Sequence, residues 1–302
     1  MMENLVSIGS DGLRAAIHPL GAELWSLTDA DGRELMTDAD PRWWTGRAPL
    51  LFPFVGRSRG DVYRLDGRAY PMPQHGFARH SDFALVERAD HSAMFRLEAD
   101  ARTREVYPFD FRLDMAFALE GAMLCMTATV TNRGHCDMPF SFGYHPAFAW
   151  PLPYGGSVGD HRVIFEKPEP ASIRKVGGEP GLIAPESSVS PAEGDTLTPT
   201  HAMFEGDALI WDRITSRSLL WGVPGRRRLK IDFPDTPWLG LWQKPGAHYL
   251  CIEPWAGMAD LVGFTGDIWD KPGIMRLPPG AARGFRMNVA LAEHGDVWRA
   301  GQ

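Results

Sequence analysis

The segment 109–119 alternates between apolar and polar side chains, and this period of two is the feature that most constrains the fold. Phe111, Leu113 and Met115 would point to one side of a strand, whereas Arg112 and Asp114 would point to the other. Successive side chains of a strand lie on opposite faces, so the pattern predicts a strand with one buried and one wet face. No long stretch of the chain has the periodicity of a helix. We therefore expect an all-β protein with little helix.

Other segments are also predicted to form strands. Residues 123–131 combine β-branched and apolar side chains, and turn-forming residues lie on both sides of them. Further candidates are residues 92–98, 219–223, 228–233, 248–252 and 285–291. The chain also contains 32 Gly and 25 Pro among 302 residues. Their combined share of about 19% exceeds an average near 12% and excludes a helical bundle.

Charge and cysteine content argue against several classes of protein. The net charge of −7 disfavours a broad surface for nucleic acid or anionic lipid. Cys125, Cys136 and Cys251 are widely spaced, without a CxxC pair, so neither a disulfide framework nor a structural zinc site is expected. The first twelve residues do not resemble a signal peptide, and no apolar run approaches the ~18 residues of a membrane span. These features predict a soluble cytoplasmic protein.

Residues 167–200 differ in composition from the rest of the chain. They are dense in Pro, Gly, Ser and Glu and contain few large apolar side chains. We interpret them as a long surface loop rather than a linker between domains, because strand candidates lie on both sides. The prediction is a single domain over residues 1–302 with a loop excursion at 167–200.

Two segments in the first third of the chain could contribute to a site. Arg57 follows the apolar run 49–55 and a glycine. It could simply cap a strand at the surface, or a rigid apolar platform could aim its guanidinium into a cleft. His75 begins the segment His-Gly-Phe-Ala-Arg, in which Gly76 lets the backbone turn sharply beside the imidazole. A purely structural role is the alternative for His75.

The segment Phe140-Ser-Phe-Gly-Tyr-His145 would form a strand with one aromatic face. The period of two places its three aromatic residues on that face and leaves Ser141, Gly143 and His145 on the other. Small residues beside a histidine leave space for another group, as in the wall of a binding site. Pro146 then has to lie at a strand end or edge, since proline cannot donate to the ladder.

The segment His248-Tyr-Leu-Cys-Ile-Glu253-Pro-Trp255 ends an apolar strand on a carboxylate. Leu250 and Ile252 would face the core, whereas Glu253 would lie on the opposite face. A carboxylate that is partly removed from water is a candidate general base, because desolvation raises its pKa. A glutamate held in a structural salt bridge is the alternative.

Together, and in this order, the four segments resemble the aldose 1-epimerase (galactose mutarotase-like) family, and most closely its LacX-like branch. The resemblance rests on Arg57 after the apolar run, His75 in HGFAR, His145 in GYHPAF and Glu253 in CIEPWAG. The opening segment 17–26 is similar as well. The resemblance extends over essentially the whole chain.

The resemblance implies a fold, a reaction and a role for each residue. The fold would be an antiparallel β-supersandwich whose concave face holds a sugar. The reaction would interconvert the α and β anomers of an aldohexose, without a metal or cofactor. By matching position, Glu253 would be the general base and His145 the general acid. Arg57 and His75 would bind the sugar.

Several alternatives stay open at the level of sequence. The sugar-binding aspartate of the family corresponds best to Asp207, with Asp212 as a close alternative. A hexose-6-phosphate mutarotase would need cationic groups at the cleft rim, for which Arg59, Arg79 and Lys244 are available. A non-catalytic carbohydrate-binding or regulatory protein could use the same fold. A glycoside hydrolase or lyase is the remaining candidate, although a hydrolase needs two carboxylates at one bond and the EPW segment offers one.

Overall fold

The computed structural model describes residues 4–293, so the predicted domain of residues 1–302 begins and ends outside the described residues. Strands dominate this part of the chain. In chain order they are β1 (Val6–Gly9), β2 (Leu13–His18), β3 (Glu23–Asp29), β4 (Leu50–Leu51), β5 (Val62–Leu65), β6 (Arg68–Pro71), β7 (Ala84–Arg88), β8 (Ser92–Glu98), β9 (Phe111–Glu120), β10 (Met123–Asn132), β11 (Met138–Phe140), β12 (Phe142–Tyr144), β13 (Ala147–Ala149), β14 (Arg162–Phe165), β15 (Ile173–Val176), β16 (Ile183–Ser188), β17 (Thr196–Leu197), β18 (Leu209–Trp211), β19 (Ser218–Gly222), β20 (Arg228–Asp232), β21 (Trp238–Trp242), β22 (Tyr249–Ala256), β23 (Met275–Leu277) and β24 (Ala282–Ala292).

Helical structure is sparse in residues 4–293. One short α-helix, α1, spans Ala101–Val106. Single 3₁₀ turns lie at Arg59–Asp61, Ala78–His80, Val158–Asp160, His201–Phe204 and Ile268–Asp270. None of these helices is long and apolar enough to cross a membrane.

Two large sheets contain most of the strands. One has the order β17-β14-β19-β20-β24-β10-β9-β8-β7. The other has the order β16-β15-β18-β21-β22-β12-β4, with β13 also paired to β22. The remaining strands form the small sheets β1-β2-β3, β11-β23 and β5-β6. The strand pairs of all these sheets are antiparallel, which confirms the predicted fold class.

The strand β9 confirms the alternation predicted for residues 109–119. Phe111, Leu113 and Met115 are buried in the core. Arg112 and Asp114 lie half-buried on the other face, where Arg112 Nε is 2.9 Å from Asp114 Oδ2. The side chains therefore separate into an apolar and a charged face as the period of two requires.

The main core lies between the two large sheets. Phe142 of β12 stacks on Phe285 of β24, with ring centroids 5.0 Å apart. The Tyr144 hydroxyl donates to the Phe285 carbonyl at 2.8 Å and accepts a hydrogen bond from the Ala128 N–H at 3.0 Å. Apolar packing and paired polar groups thus connect the sheets face to face.

The strand β22 is buried on both faces, and all eight of its residues are inaccessible to solvent or nearly so. Leu250 and Ile252 belong to the core between the sheets, as predicted. The opposite face carries Tyr249 and Cys251, which pack against a second, smaller apolar cluster. Glu253 follows them on that same face.

The segment 167–200 is not the plain loop that its composition predicts. It contains β15 and β16, which form one edge of the eight-stranded sheet, and β17, which forms an edge of the nine-stranded sheet. Edge strands have a neighbour on one side only and need fewer apolar side chains. Three residues of β16 are exposed, and this explains why a strand here has the polar composition of a loop.

We expect Tyr144→Phe to lower the free energy of unfolding by about 1–3 kcal/mol, because it leaves the Ala128 N–H and the Phe285 carbonyl without this partner in the core. Chemical denaturation followed by tryptophan fluorescence measures the change. Tyr70→Phe is the control: Tyr70 is also buried and stacks on Tyr63, but its hydroxyl makes no hydrogen bond within residues 4–293. Equal losses for the two variants would contradict the role given to the Tyr144 hydroxyl.

Candidate active site

A cleft opens on the face of the eight-stranded sheet that points away from the main core. Its polar lining residues include His75, Arg79, His145, Asp207 and Glu253, and its aromatic ones are Trp44, Trp242 and Trp255. The polar residues come from distant parts of the sequence, so the fold alone brings them together. Three of the four residues singled out by the motifs, His75, His145 and Glu253, lie in this one cleft.

The segment around His145 folds as its alternation predicts. The aromatic residues of β12 point into the core between the sheets, and His145 lines the cleft. A Cβ atom on Gly143 would come within 2.6 Å of Trp255 Cδ1. The space beside the histidine is therefore occupied by Trp255, and a larger residue at position 143 would displace it. Pro146 lies between β12 and β13, directly before the first residue of β13, and so at a strand end as predicted.

The strand β22 places Glu253 on the cleft floor. Its register partner is Gly240 of β21, and Glu253 itself is 2% exposed. The strand is hydrogen-bonded on both sides, to β21 and to β12 and β13. The carboxylate is therefore held by a rigid backbone and is almost completely removed from bulk water.

Glu253 and His145 are in direct contact, with Oε2 of the one 3.2 Å from Nε2 of the other. Burial, and after it the negative charge of Asp207, raises the pKa of Glu253 well above its ordinary range. Burial, followed by His75 and the positive charge of Arg79, lowers the pKa of His145 well below its ordinary range. Both shifts oppose a net charge on the pair, so the pair favours holding one proton in total.

His75 is fixed by its backbone and is neutral. The backbone N–H of His75 donates to the Gly56 carbonyl at 2.7 Å. The backbone N–H of Gly56 donates to the ring Nδ1 of His75 at 3.1 Å. Burial, and then the charge of Arg79, lowers its pKa to about 3. Because Nδ1 accepts a hydrogen bond, the proton of the neutral ring is on Nε2. His75 can therefore donate a hydrogen bond but cannot readily supply a proton.

The turn after His75 requires glycine. Gly76 has a φ of +73°, and a Cβ atom there would lie 2.2 Å from the Phe52 carbonyl oxygen. Its backbone pairs with Phe52 in an isolated parallel bridge. This close approach holds the segment that carries His75 against the apolar run 49–55.

Arg79 lines the cleft, although the motifs alone gave it no more than a possible role at the rim. It lies in the 3₁₀ turn Ala78–His80, four residues after His75. Burial lowers its pKa, and the negative charges of Glu23 and Glu253 act against this. Its guanidinium forms no ion pair or hydrogen bond within the described residues. The HGFAR motif that contains both His75 and Arg79 was the available signal.

Arg57 is not among the residues that line the cleft, contrary to the prediction from the sequence. Its guanidinium makes two hydrogen bonds to Asp61, from Nε at 2.7 Å and from Nη2 at 2.6 Å. A third contact runs from Nη1 to the Pro180 carbonyl at 3.4 Å. This two-point pairing with a carboxylate occupies hydrogen-bond donors on two of the three guanidinium nitrogens. Arg79 therefore lines the cleft itself, whereas Arg57 lies beside it, against Gly181 of the cleft wall.

The structure also distinguishes the two candidate aspartates. Asp207 lines the cleft and has a φ of +82°, and its Oδ1 accepts a hydrogen bond from the Ala208 N–H at 2.7 Å. Asp212 does not line the cleft, and its Oδ2 accepts a hydrogen bond from Arg174 Nε at 2.6 Å. Asp207 is therefore the carboxylate that can reach a molecule in the cleft.

Tryptophan rings form much of the apolar wall. Trp44 packs on His145 with ring centroids 4.9 Å apart and an angle of 33° between the planes. Trp242 meets the same imidazole edge-on at 5.8 Å. Large aromatic rings exclude water from the acid–base pair and offer flat surfaces to the apolar face of a sugar ring.

Three donor atoms at the cleft floor could in principle hold a metal ion. They belong to His145, Cys251 and Glu253 and lie within 4.8 Å of one another. A tetrahedral zinc ion would need roughly 3.3–3.8 Å between its ligands, given bonds of about 2.0–2.3 Å. Burial also raises the pKa of the Cys251 thiol well above its ordinary range, whereas the thiolate is the form that binds metals. The arrangement suits proton transfer better than a resident metal ion.

Comparison with known sequences shows which proteins this chain is similar to. The sequence profile of the family described as aldose 1-epimerase matches residues 4–176. The chromosomal and plasmid LacX proteins of Lactococcus lactis subsp. lactis are each 31% identical over 283 residues, which cover 91% of this chain and 95% of theirs. These alignments extend the similarity beyond residue 176 and support the LacX-like resemblance.

Solved structures show the same fold. A galactose mutarotase-like protein from Lactobacillus casei is 32% identical, with a TM-score of 0.89 over 96% of this chain and 100% of its own. A galactose mutarotase related enzyme from Lactobacillus acidophilus is 28% identical, with a TM-score of 0.87 over 97% of this chain and 98% of its own. The predicted galactose mutarotase-like architecture is confirmed. The chain belongs to the aldose 1-epimerase family.

Proposed function

We propose that this protein is an aldose 1-epimerase that interconverts the α and β anomers of a hexose, with Glu253 as general base and His145 as general acid. The observation that supports this most is the 3.2 Å contact between the two side chains on the floor of a cleft. Ring opening needs a base and an acid at the same place. A protein that only binds a sugar needs neither, so the contact favours catalysis over the non-catalytic alternative.

The chemistry explains why the two groups should touch. Glu253 takes the proton of the anomeric hydroxyl while His145 gives a proton to the ring oxygen, and the bond between the anomeric carbon and the ring oxygen breaks. The resulting aldehyde rotates, and the ring closes from the other face with the roles reversed. Both oxygens are bonded to the same carbon, so a base and an acid side by side can reach both.

The pKa shifts fit this exchange of one proton. The competent pair carries one proton in total, on His145 before ring opening and on Glu253 after it. Because burial raises the pKa of Glu253 and lowers that of His145, the neutral arrangement with the proton on Glu253 is favoured in the free cleft, and the ionised arrangement with the proton on His145 is the one that starts ring opening. A second proton at low pH would block the base, and loss of the last proton at high pH would remove the acid.

The remaining cleft residues are suited to hold the sugar. His75 would donate from Nε2 to a hydroxyl oxygen, and Arg79 offers several N–H donors. Asp207 would accept hydrogen bonds from hydroxyl groups. The tryptophan rings would stack on the apolar face of the pyranose.

The charges of the cleft favour a free hexose over a hexose 6-phosphate. Arg79 is the only Arg or Lys among the lining residues that the structure describes. Arg59 is paired with Glu179, and Arg57 with Asp61. A phosphate would find few unpaired cations, whereas Asp207 and Glu253 would repel it.

Polarimetry on fresh α-glucose, α-galactose and their 6-phosphates tests the activity. We expect Glu253→Gln to lose ~10²–10⁴ in rate, because the amide keeps the shape of the side chain but cannot accept the proton. Calorimetry should find the sugar affinity within about an order of magnitude of the wild type, since a single neutralised hydrogen bond is lost. Near wild-type turnover by this variant would show that another residue is the base.

A second pair of variants tests the choice between the aspartates. We expect Asp207→Asn to raise KM by about tenfold, because a charged acceptor for sugar hydroxyls becomes neutral. Asp212→Asn is the matched control and should leave KM unchanged, since Asp212 is paired with Arg174 outside the cleft. The opposite pattern in steady-state kinetics would identify Asp212 as the binding residue.

The pH dependence tests the charge of Arg79. Its positive charge lowers the pKa of both His145 and Glu253, so its removal should raise both. We therefore expect Arg79→Met to move both limbs of the profile of kcat/KM against pH to higher pH, besides weakening binding. Arg79→Lys keeps the charge and should leave the limbs near their wild-type positions. Unshifted limbs in Arg79→Met would contradict this electrostatic role.

A further inference from the structure

The turn between β15 and β16 forms part of the cleft wall. We call residues 177–181, which have the sequence Gly-Gly-Glu-Pro-Gly, the tip loop. Gly181 lines the cleft, as do Val176 and Ile183 on the two adjoining strands. A Cβ atom on Gly181 would lie 3.2 Å from Arg57 Cδ and 3.8 Å from Gln74 Nε2. The tip loop therefore lies beside the segment that carries His75.

The base of this hairpin is firmly attached to the rest of the protein. The Ile183 N–H donates to the Asp260 carbonyl at 2.9 Å, and the Val262 N–H donates to the Ile183 carbonyl at 2.9 Å. Leu182 and Ile183 are each 1% exposed. Backbone hydrogen bonds and buried side chains thus fix the hairpin up to residue 182.

Gly178 of the tip loop packs beside Val262, where a Cβ atom would lie 3.2 Å from Val262 Cγ2, and the polar contacts of the tip loop are made by side chains of the 57–61 segment. Arg59 Nε lies 3.0 Å from each carboxylate oxygen of Glu179, and Arg57 Nη1 contacts the Pro180 carbonyl. The Arg59 and Glu179 side chains are 42% and 37% exposed. Exposed ion pairs are weak and are screened by salt. The tip loop can therefore detach at a small free-energy cost while the base of the hairpin stays in place.

The backbone that carries Arg59 is held rigidly. The Arg59 N–H donates to Asp260 Oδ2 at 2.8 Å, and the Asp260 N–H donates to the Arg57 carbonyl at 2.9 Å. Asp260 is buried and forms an ion pair with the buried Lys271. A fixed backbone thus presents Arg59 to a partner that can move.

We propose that the tip loop is a gate at the mouth of the cleft and that the ion pair between Arg59 and Glu179 is its latch. Closed, the gate completes the wall next to His75 and retains the sugar; open, it lets the sugar in and out. Arg59 and Glu179 are positioning residues, because they act on the wall and touch none of the acid–base groups. The inference rests on the proposed function in taking a hexose as the molecule that is retained.

Charge reversal with rescue tests the latch. We expect Arg59→Glu and Glu179→Arg each to weaken sugar affinity and raise KM by about fivefold, the factor to which an exposed ion pair corresponds, with kcat changed by less than about twofold. The double variant restores the opposite charges and should return KM to within about twofold of the wild type. Amide hydrogen exchange of residues 177–181 should be faster in each single variant and return to normal in the double variant.

The matched control is Arg104→Glu. Arg104 pairs with Asp110 at 2.6 Å and has a similar exposure of 49%, but it lies on α1 and does not line the cleft. It should change neither KM nor exchange in the tip loop. Single variants with wild-type KM, or a double variant without rescue, would overturn the gate. If the wild type converted no aldose, the proposed function would fail, whereas unaltered exchange in both single variants would show that the latch is absent.

Discussion

The burial of β22 on both faces is the constraint on which the rest of the site depends. One face contributes Leu250 and Ile252 to the core between the two sheets. The other face carries Glu253 to the cleft floor. Hydrogen bonds to the neighbouring strands on both sides hold the backbone of β22 in place. Glu253 therefore cannot shift without disturbing the ladder or the core, and the position of a reacting group is fixed before any ligand binds.

The same burial sets the electrostatics of the cleft. Desolvation disfavours the charged form of any group, so it acts in opposite directions on the pKa values of a carboxylate and an imidazole. In contact with each other, Glu253 and His145 favour one shared proton. The nearby charge of Arg79 acts in the same direction on both groups, favouring fewer protons. The fold thus controls the proton chemistry through one physical effect, the removal of water from Glu253 and His145.

Prediction from the sequence succeeded where one face of a strand meets the core and failed at the edges. The strand predicted at 92–98 is β8 with the same bounds, and the alternation around His145 gave the correct faces. Residues 167–200 form strands despite their loop-like composition, because edge strands such as β16 keep polar, exposed side chains. Arg57 pairs with Asp61 instead of lining the cleft for a related reason. A pattern of residue types contains no information on which carboxylate a long, flexible side chain will meet.

The fold class, the family resemblance and three of the residues that meet in the cleft follow from the sequence alone; the three residues are His75, His145 and Glu253. Local alternation and short motifs are sufficient for these, because strand periodicity fixes which face a side chain occupies. The tertiary structure was needed to show that Asp207 and Arg79 line the cleft whereas Asp212 and Arg57 do not. Asp212 is bound by Arg174, which is 38 residues away, and the positions of Asp207 and Arg79 depend on which side of a loop faces the cleft. Such contacts arise from packing in three dimensions, which no local pattern specifies.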